Sequence, residues 1–149
     1  MIPDYLAKLL VELKQTLELI RELDQRIITI YVGGGTPSIL NCEQMELLLS
    51  TINENADLSE LREFTFEMGR PDTVTYDKVK LAHDMGVTRI SINPQTFNDG
   101  ALNGYNGIST FTSSANVRVT EFLRMLGYGA KNTYNRYCFE ESSPVANLF

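Results

Sequence analysis

The chain has 149 residues, 43% hydrophobic and 21% charged, which fits a single globular domain and excludes wholesale disorder. Thirteen Lys and Arg against nineteen Asp and Glu leave a net charge of −6, the opposite of the balance a general nucleic-acid binder carries. Apolar runs far shorter than the roughly 20 residues of a membrane span, an N-terminus without signal-peptide order, and two widely separated cysteines, Cys42 and Cys138, point to a reduced cytoplasmic setting with no membrane partner.

Pro3 to Asp24 reads as a helix, because Leu6, Leu9, Leu10, Leu13, Leu17 and Ile20 form one stripe at helical spacing. Pro3 suits its first turn, where no N–H is needed. Arg26 to Val32 is β-branched and almost continuously apolar, the pattern of a strand covered on both faces of a parallel sheet. It stops at Gly33-Gly34-Gly35-Thr36-Pro37-Ser38. Asn41 predicts an N-cap with Gln44 as its capping-box partner, and the following helix runs to about Asn55 with Met45, Leu48, Leu49 and Ile52 on one face.

Arg62 to Met68 alternates, with Phe64, Phe66 and Met68 on one side and Glu63, Thr65 and Glu67 on the other. Thr75 caps a helix through Met85, and Gly86 closes it. Val87 to Asn93 is a third strand, stopped by Pro94. The order α-β-α-β-α-β implies parallel pairing with right-handed crossovers. A complete eight-fold β/α barrel takes roughly 250 residues, so this chain holds only part of one. The expected fold class is α/β, a partial parallel β/α barrel over residues 1–99, followed by an irregular tail over 100–149. A helix within Val117 to Leu126 is the one element expected there. Exposed sheet edges in a partial barrel would favour self-association.

In parallel β/α folds ligands bind at the carboxyl ends of the strands. Those ends are Gly33 to Ser38, Glu67 to Arg70, and Asn93 to Thr96. The glycines permit close backbone approach and positive φ; a tight turn without a ligand has the same signature. Glu67 can accept hydrogen bonds from ribose hydroxyls or an ammonium group, or stand as a solvated strand-end carboxylate. Arg70 can pair with Glu67 or bind a ligand carboxylate. The Gln95 amide suits a ribose or amino-acid ligand and equally a turn. His83 reads as structural, and the cysteines as ordinary thiols.

Tyr31-Val-Gly-Gly-Gly-Thr-Pro-Ser38, Phe66-Glu-Met-Gly-Arg-Pro-Asp72 and Gly86-Val-Thr-Arg-Ile-Ser-Ile-Asn-Pro-Gln-Thr-Phe-Asn-Asp99 together resemble the core of oxygen-independent coproporphyrinogen III oxidases (coproporphyrinogen dehydrogenases). These are radical S-adenosylmethionine enzymes, and the closest likeness is to the oxidase-like branch. The resemblance covers about residues 26–99. It implies a partial TIM-like barrel holding S-adenosylmethionine and a 4Fe-4S cluster, and an oxidoreductase that oxidatively decarboxylates coproporphyrinogen III to protoporphyrinogen IX in heme biosynthesis. By position, Gly34, Gly35 and Thr36 would contact the methionine end of S-adenosylmethionine, and Glu67 and Gln95 its polar ribose or amino-acid groups.

The chain departs from the family in three places. The Cys-x-x-x-Cys-x-x-Cys loop expected ahead of this segment is absent, so no 4Fe-4S cluster is expected on this chain, and the chain alone is expected to be inactive. The arginine expected after the Gln95 segment is also absent. Met125-Leu-Gly-Tyr-Gly-Ala-Lys131 resembles a displaced C-terminal family segment, which reads as an internal deletion. The alternatives are a non-catalytic S-adenosylmethionine or nucleotide-binding module and a structural remnant without a ligand.

Overall fold

A computed structural model describes residues 1–92, 121–133 and 136–141. Helix α1 spans Ile2–Glu22, with Pro3 in its first turn and Asp4 near the positive end of the dipole. Its Leu6 and Leu17 are buried, and Leu9, Leu10 and Leu13 pack against the core from its margin. Strand β1 (Thr29–Val32) and helix α2 (Cys42–Asn55) follow. Asn41 caps α2 with the expected reciprocal pair: its side chain accepts from Gln44 N at 2.8 Å, and Gln44 Oε1 accepts from Asn41 N at 3.0 Å. Strand β2 (Glu63–Glu67), helix α3 (Tyr76–Asp84) and strand β3 (Arg89–Ile92) complete three β/α repeats. Thr75 caps α3, and Gly86 ends it with φ +89°.

β1, β2 and β3 pair in parallel, with Tyr31 opposite Thr65 and Thr65 opposite Arg89. The expected α/β class and parallel order therefore hold for this part of the chain. Alternation along β2 decides which face carries the core. Phe64, Phe66 and Met68 are fully buried and join Met45, Leu49, Ile52, Val79, Ala82 and Ile90 in one cluster between sheet and helices. The opposite face carries Glu63, Thr65 and Glu67, and Thr65 is buried with its hydroxyl donating to Glu63 Oε1 at 2.8 Å.

Two expectations are corrected. The apolar run through β1 predicted cover on both faces, yet Ile28 and Tyr31 are about half exposed, 46% and 52%. β1 lies at the edge of the described sheet, with a neighbour on one side only, and a continuous apolar run does not record which neighbours the strand has. The tail was expected to be irregular. Instead Tyr128–Thr133 and Arg136–Glu141 form strands β4 and β5, an antiparallel pair whose β5 lies antiparallel against β3, giving the order β1-β2-β3-β5-β4. Residues 121–125 are helical, inside the stretch where a helix was expected. Tyr128 anchors the hairpin: it is buried, its hydroxyl donates to Val87 O at 2.6 Å, and its ring meets His83 edge-on at 5.7 Å between centroids.

Candidate functional site

Parallel pairing brings the carboxyl ends of β1 and β2 side by side. β1 leads straight into Gly33, and β2 ends on Glu67. Gly34 and Gly35 adopt φ of +88° and +62°, a region that side chains other than glycine enter only at a cost. Gly33 is constrained differently. A Cβ there would lie 2.1 Å from Tyr31 Cε1 and 3.0 Å from Glu67 Oε2, so the Tyr31 ring and the Glu67 carboxylate close over a bare backbone. The amide of Gly34 donates to Glu67 Oε2 across 3.4 Å. That distance is at the outer limit of a hydrogen bond. Three exposed glycines and a half-buried carboxylate thus face solvent together.

Thr36 precedes a short 3-10 turn over Pro37–Ile39, and its carbonyl accepts from Ile39 N at 3.0 Å. Its hydroxyl makes no capping bond. Gln95 lies outside the described residues, as do the other strand-end positions from Asn93 to Thr96. Arg70 pairs with Asp72 at 3.3 Å rather than with Glu67. His83 packs on Tyr128 and contacts Asp84 at 3.4 Å. Cys42 is a free thiol in the first turn of α2.

Beneath the glycine turn lies an arrangement that sequence reasoning did not anticipate. A second 3-10 turn, Pro71–Thr73, follows β2. Lys78, in the first turn of α3, donates from Nζ to Ser38 O at 2.6 Å and to Thr73 O at 2.9 Å. The hydroxyls of Ser38 and Thr73 are 2.5 Å apart, and Thr73 Oγ1 donates to Arg70 O at 2.8 Å. Since a hydroxyl has one proton, Ser38 is the donor to Thr73. Burial pushes the Lys78 ammonium below the ordinary lysine range, opposed in part by the Cys42 side chain. No local sequence signal announces a contact whose partners stand 40 residues apart.

A separate cleft of about 240 Å³ opens at the other end of the strands, between the carboxyl ends of α1 and α2, lined among others by Leu17, Ile20, Arg26 and Asp57. Arg26 spans it to Asp57 at 3.2 Å. The cleft lies remote from the strand ends that carry Gly34 and Glu67, and its contents are those of an ordinary surface ion pair. Among the described residues no three His, Cys, Asp or Glu side chains are grouped to hold a metal ion. No helix among them is long and apolar enough to cross a membrane.

The chain resembles several curated proteins. It is 39% identical over 92 residues to the oxygen-independent coproporphyrinogen-III oxidase-like protein HemZ of Bacillus subtilis, covering 61% of this chain and 18% of that protein. It is 45% identical over 78 residues to the heme chaperone HemW of Lactococcus lactis, covering 52% and 20%. It is 34% identical over 88 residues to the mitochondrial radical S-adenosyl methionine domain-containing protein 1 of Danio rerio, covering 58% and 20%. No family model and no solved structure matches the chain. The chain spans about a fifth of the length of these relatives. Over the residues matched, the chain is similar to proteins of the coproporphyrinogen oxidase-like radical S-adenosylmethionine family.

Proposed function

We propose that the rim built from Gly34, Gly35, Thr36 and Glu67, with Gln95 from the segment after β3, binds S-adenosylmethionine, and that the three β/α repeats are part of a radical S-adenosylmethionine barrel. The observation that carries this reading is the meeting of Gly34 and Glu67 across two adjacent parallel strands. Exposed backbone groups beside a carboxylate suit a zwitterion carrying an ammonium, a carboxylate and ribose hydroxyls. The long Gly34–Glu67 bond is weak enough for a ligand ammonium or hydroxyl to replace it.

A 4Fe-4S cluster does not fit this chain. Such clusters are held by several thiolates, and the chain has two cysteines, Cys42 and Cys138. We therefore assign no redox step to this chain alone. Oxidative decarboxylation of coproporphyrinogen III to protoporphyrinogen IX, in heme biosynthesis, is the activity inferred for a protein in which this segment is joined to cluster-binding cysteines. A second reading is favoured by the relatives named heme chaperones: the segment serves a protein that handles heme and does not oxidise porphyrinogens.

Calorimetric titration with S-adenosylmethionine tests the site. Binding is expected for the chain, and Glu67→Gln is expected to weaken it by roughly 10-fold through loss of one charge-assisted hydrogen bond. No heat at millimolar ligand overturns the binding reading. Anaerobic iron and sulfide reconstitution is expected to leave no stoichiometric cluster, and a stoichiometric cluster would overturn the inactivity of the isolated chain. Hemin titration separates the two readings: saturable Soret changes support heme handling.

A further inference from the structure

The Lys78 ammonium is in a costly place. It sits at the positive end of the α3 dipole, where a cation is disfavoured, and it is partly removed from water. Among the described residues no carboxylate pairs with it. Its compensation comes from two backbone carbonyls on two different loops, Ser38 O after β1 and Thr73 O after β2. A second link runs parallel to the first, from the Ser38 hydroxyl through the Thr73 hydroxyl to Arg70 O. Ser38 is fully buried, so the Ser38 end of this double link is shielded from competing water. Both loops begin at the rim: Gly33 to Gly35 open one, and Glu67 ends the strand before the other. Between the link and Gly34 lie Gly35, Thr36 and Pro37, and Gly34 and Gly35 have few backbone restraints of their own.

We propose that Lys78 is a positioning residue for the rim site, its ammonium fixing the glycine turn against the turn after β2 and so setting the separation of the Gly34 amide and the Glu67 carboxylate. The inference rests on the binding of a zwitterionic ligand such as S-adenosylmethionine at that rim. Lys78 itself touches no ligand. It removes the freedom that binding would otherwise have to remove, which is how preorganisation raises affinity.

The test uses the full chain with three variants. Lys78→Met keeps the length and loses the charge and both donors, Lys78→Arg keeps the charge and can still reach two carbonyls, and Thr73→Val cuts the hydroxyl link alone. Ligand-free amide exchange and calorimetry with S-adenosylmethionine are read on each. Lys78→Met is expected to speed exchange at Ile39 and Leu40 and shift the Gly34 and Gly35 resonances, to weaken S-adenosylmethionine by roughly 10-fold, and to be rescued by Lys78→Arg to within about 3-fold of the parent. Unchanged Gly34 and Gly35 resonances in Lys78→Met overturn the proposal, as does equal affinity in all variants. If Lys78→Met does not fold, Lys78→Arg and Thr73→Val decide: parental affinity in the first and weakened affinity in the second support the link, and parental affinity and resonances in Thr73→Val overturn it. If the parent chain binds no S-adenosylmethionine, the ligand reading fails on its own, and the ligand-free resonances still decide whether Lys78 sets the turn.

Discussion

The three consecutive glycines are unequal, and alanine substitutions separate their roles. At Gly34, with φ +88°, an added Cβ meets nothing within 4 Å. The penalty is therefore purely one of backbone conformation, about 1–2 kcal/mol for an L-residue in the left-handed region. Alanine also restricts the unfolded chain, returning about 0.4–1 kcal/mol, so the net loss for Gly34→Ala is about 1 kcal/mol, or roughly 2–4 °C in Tm for a chain of this size. At Gly33 the backbone is not left-handed, and the obstacle is the Tyr31 ring at 2.1 Å. That ring is half exposed and can swing outward. Displacing it forfeits about half the burial energy of an aromatic side chain, about 1 kcal/mol, which the alanine entropy gain partly offsets. Equilibrium urea unfolding of a cycle with Tyr31→Ala resolves the two cases. In the Tyr31→Ala background Gly33→Ala should become neutral or stabilising, while Gly34→Ala should cost the same as before. A Gly34→Ala chain of parental stability, or a Gly33→Ala penalty unaffected by Tyr31→Ala, would refute the reasoning.

Four further outcomes are expected. Phe66→Ala empties a fully buried position in the core cluster and should cost about 3–5 kcal/mol by urea unfolding. Tyr128→Phe deletes the buried bond to Val87 O and should cost about 1–2 kcal/mol, with earlier amide exchange along β4 and β5 than along β2. Hydrogen bonds from Lys80 and then His83 hold the Asp84 carboxyl below the usual carboxylate range, so its contribution is present above the ordinary Asp pKa and lost as pH falls through the depressed native one; Asp84→Asn should flatten that part of the acid limb without changing the midpoint sequence of other variants. Desolvation lowers Lys78, so the unfolded chain binds its proton more readily, and stability should rise with pH between the native and unfolded pKa values; a pH series on Lys78→Met should lack that rise.

The elements that could be read from sequence were those specified by local chemistry. Asn41 and Gln44 mark the start of α2 because a capping box involves only residues three positions apart, and Thr75 and Gly86 bracket α3 by similarly local signals. Alternation in β2 assigned Phe64 and Phe66 to the core because the pleat has period two. The meeting of the glycine turn with Glu67 followed from parallel order alone. What escaped depends on partners distant in sequence. The surroundings of β1 are set by its place at the sheet edge, which Ile28 and Tyr31 cannot encode by themselves. β4, with the sequence Tyr-Gly-Ala-Lys-Asn-Thr, has little strand propensity and owes its form to pairing with β5, which in turn pairs with β3. Lys78 looks like one more charged residue on an amphipathic helix until Ser38 and Thr73 are brought to it.

The hairpin carries a topological consequence. In a closed ring of parallel strands, the free side of β3 receives a fourth strand running in its own direction. Here that side is occupied by β5 running the opposite way, with Ile90 opposite Phe139 and Ser91 opposite Cys138. Growth of the parallel array in that direction is therefore blocked as long as the hairpin stays docked, and the vacant side of β1 is where another parallel ribbon can join without displacing anything described. Tyr128, whose hydroxyl donates to Val87 O at 2.6 Å, ties the start of this hairpin to the residue two places before β3.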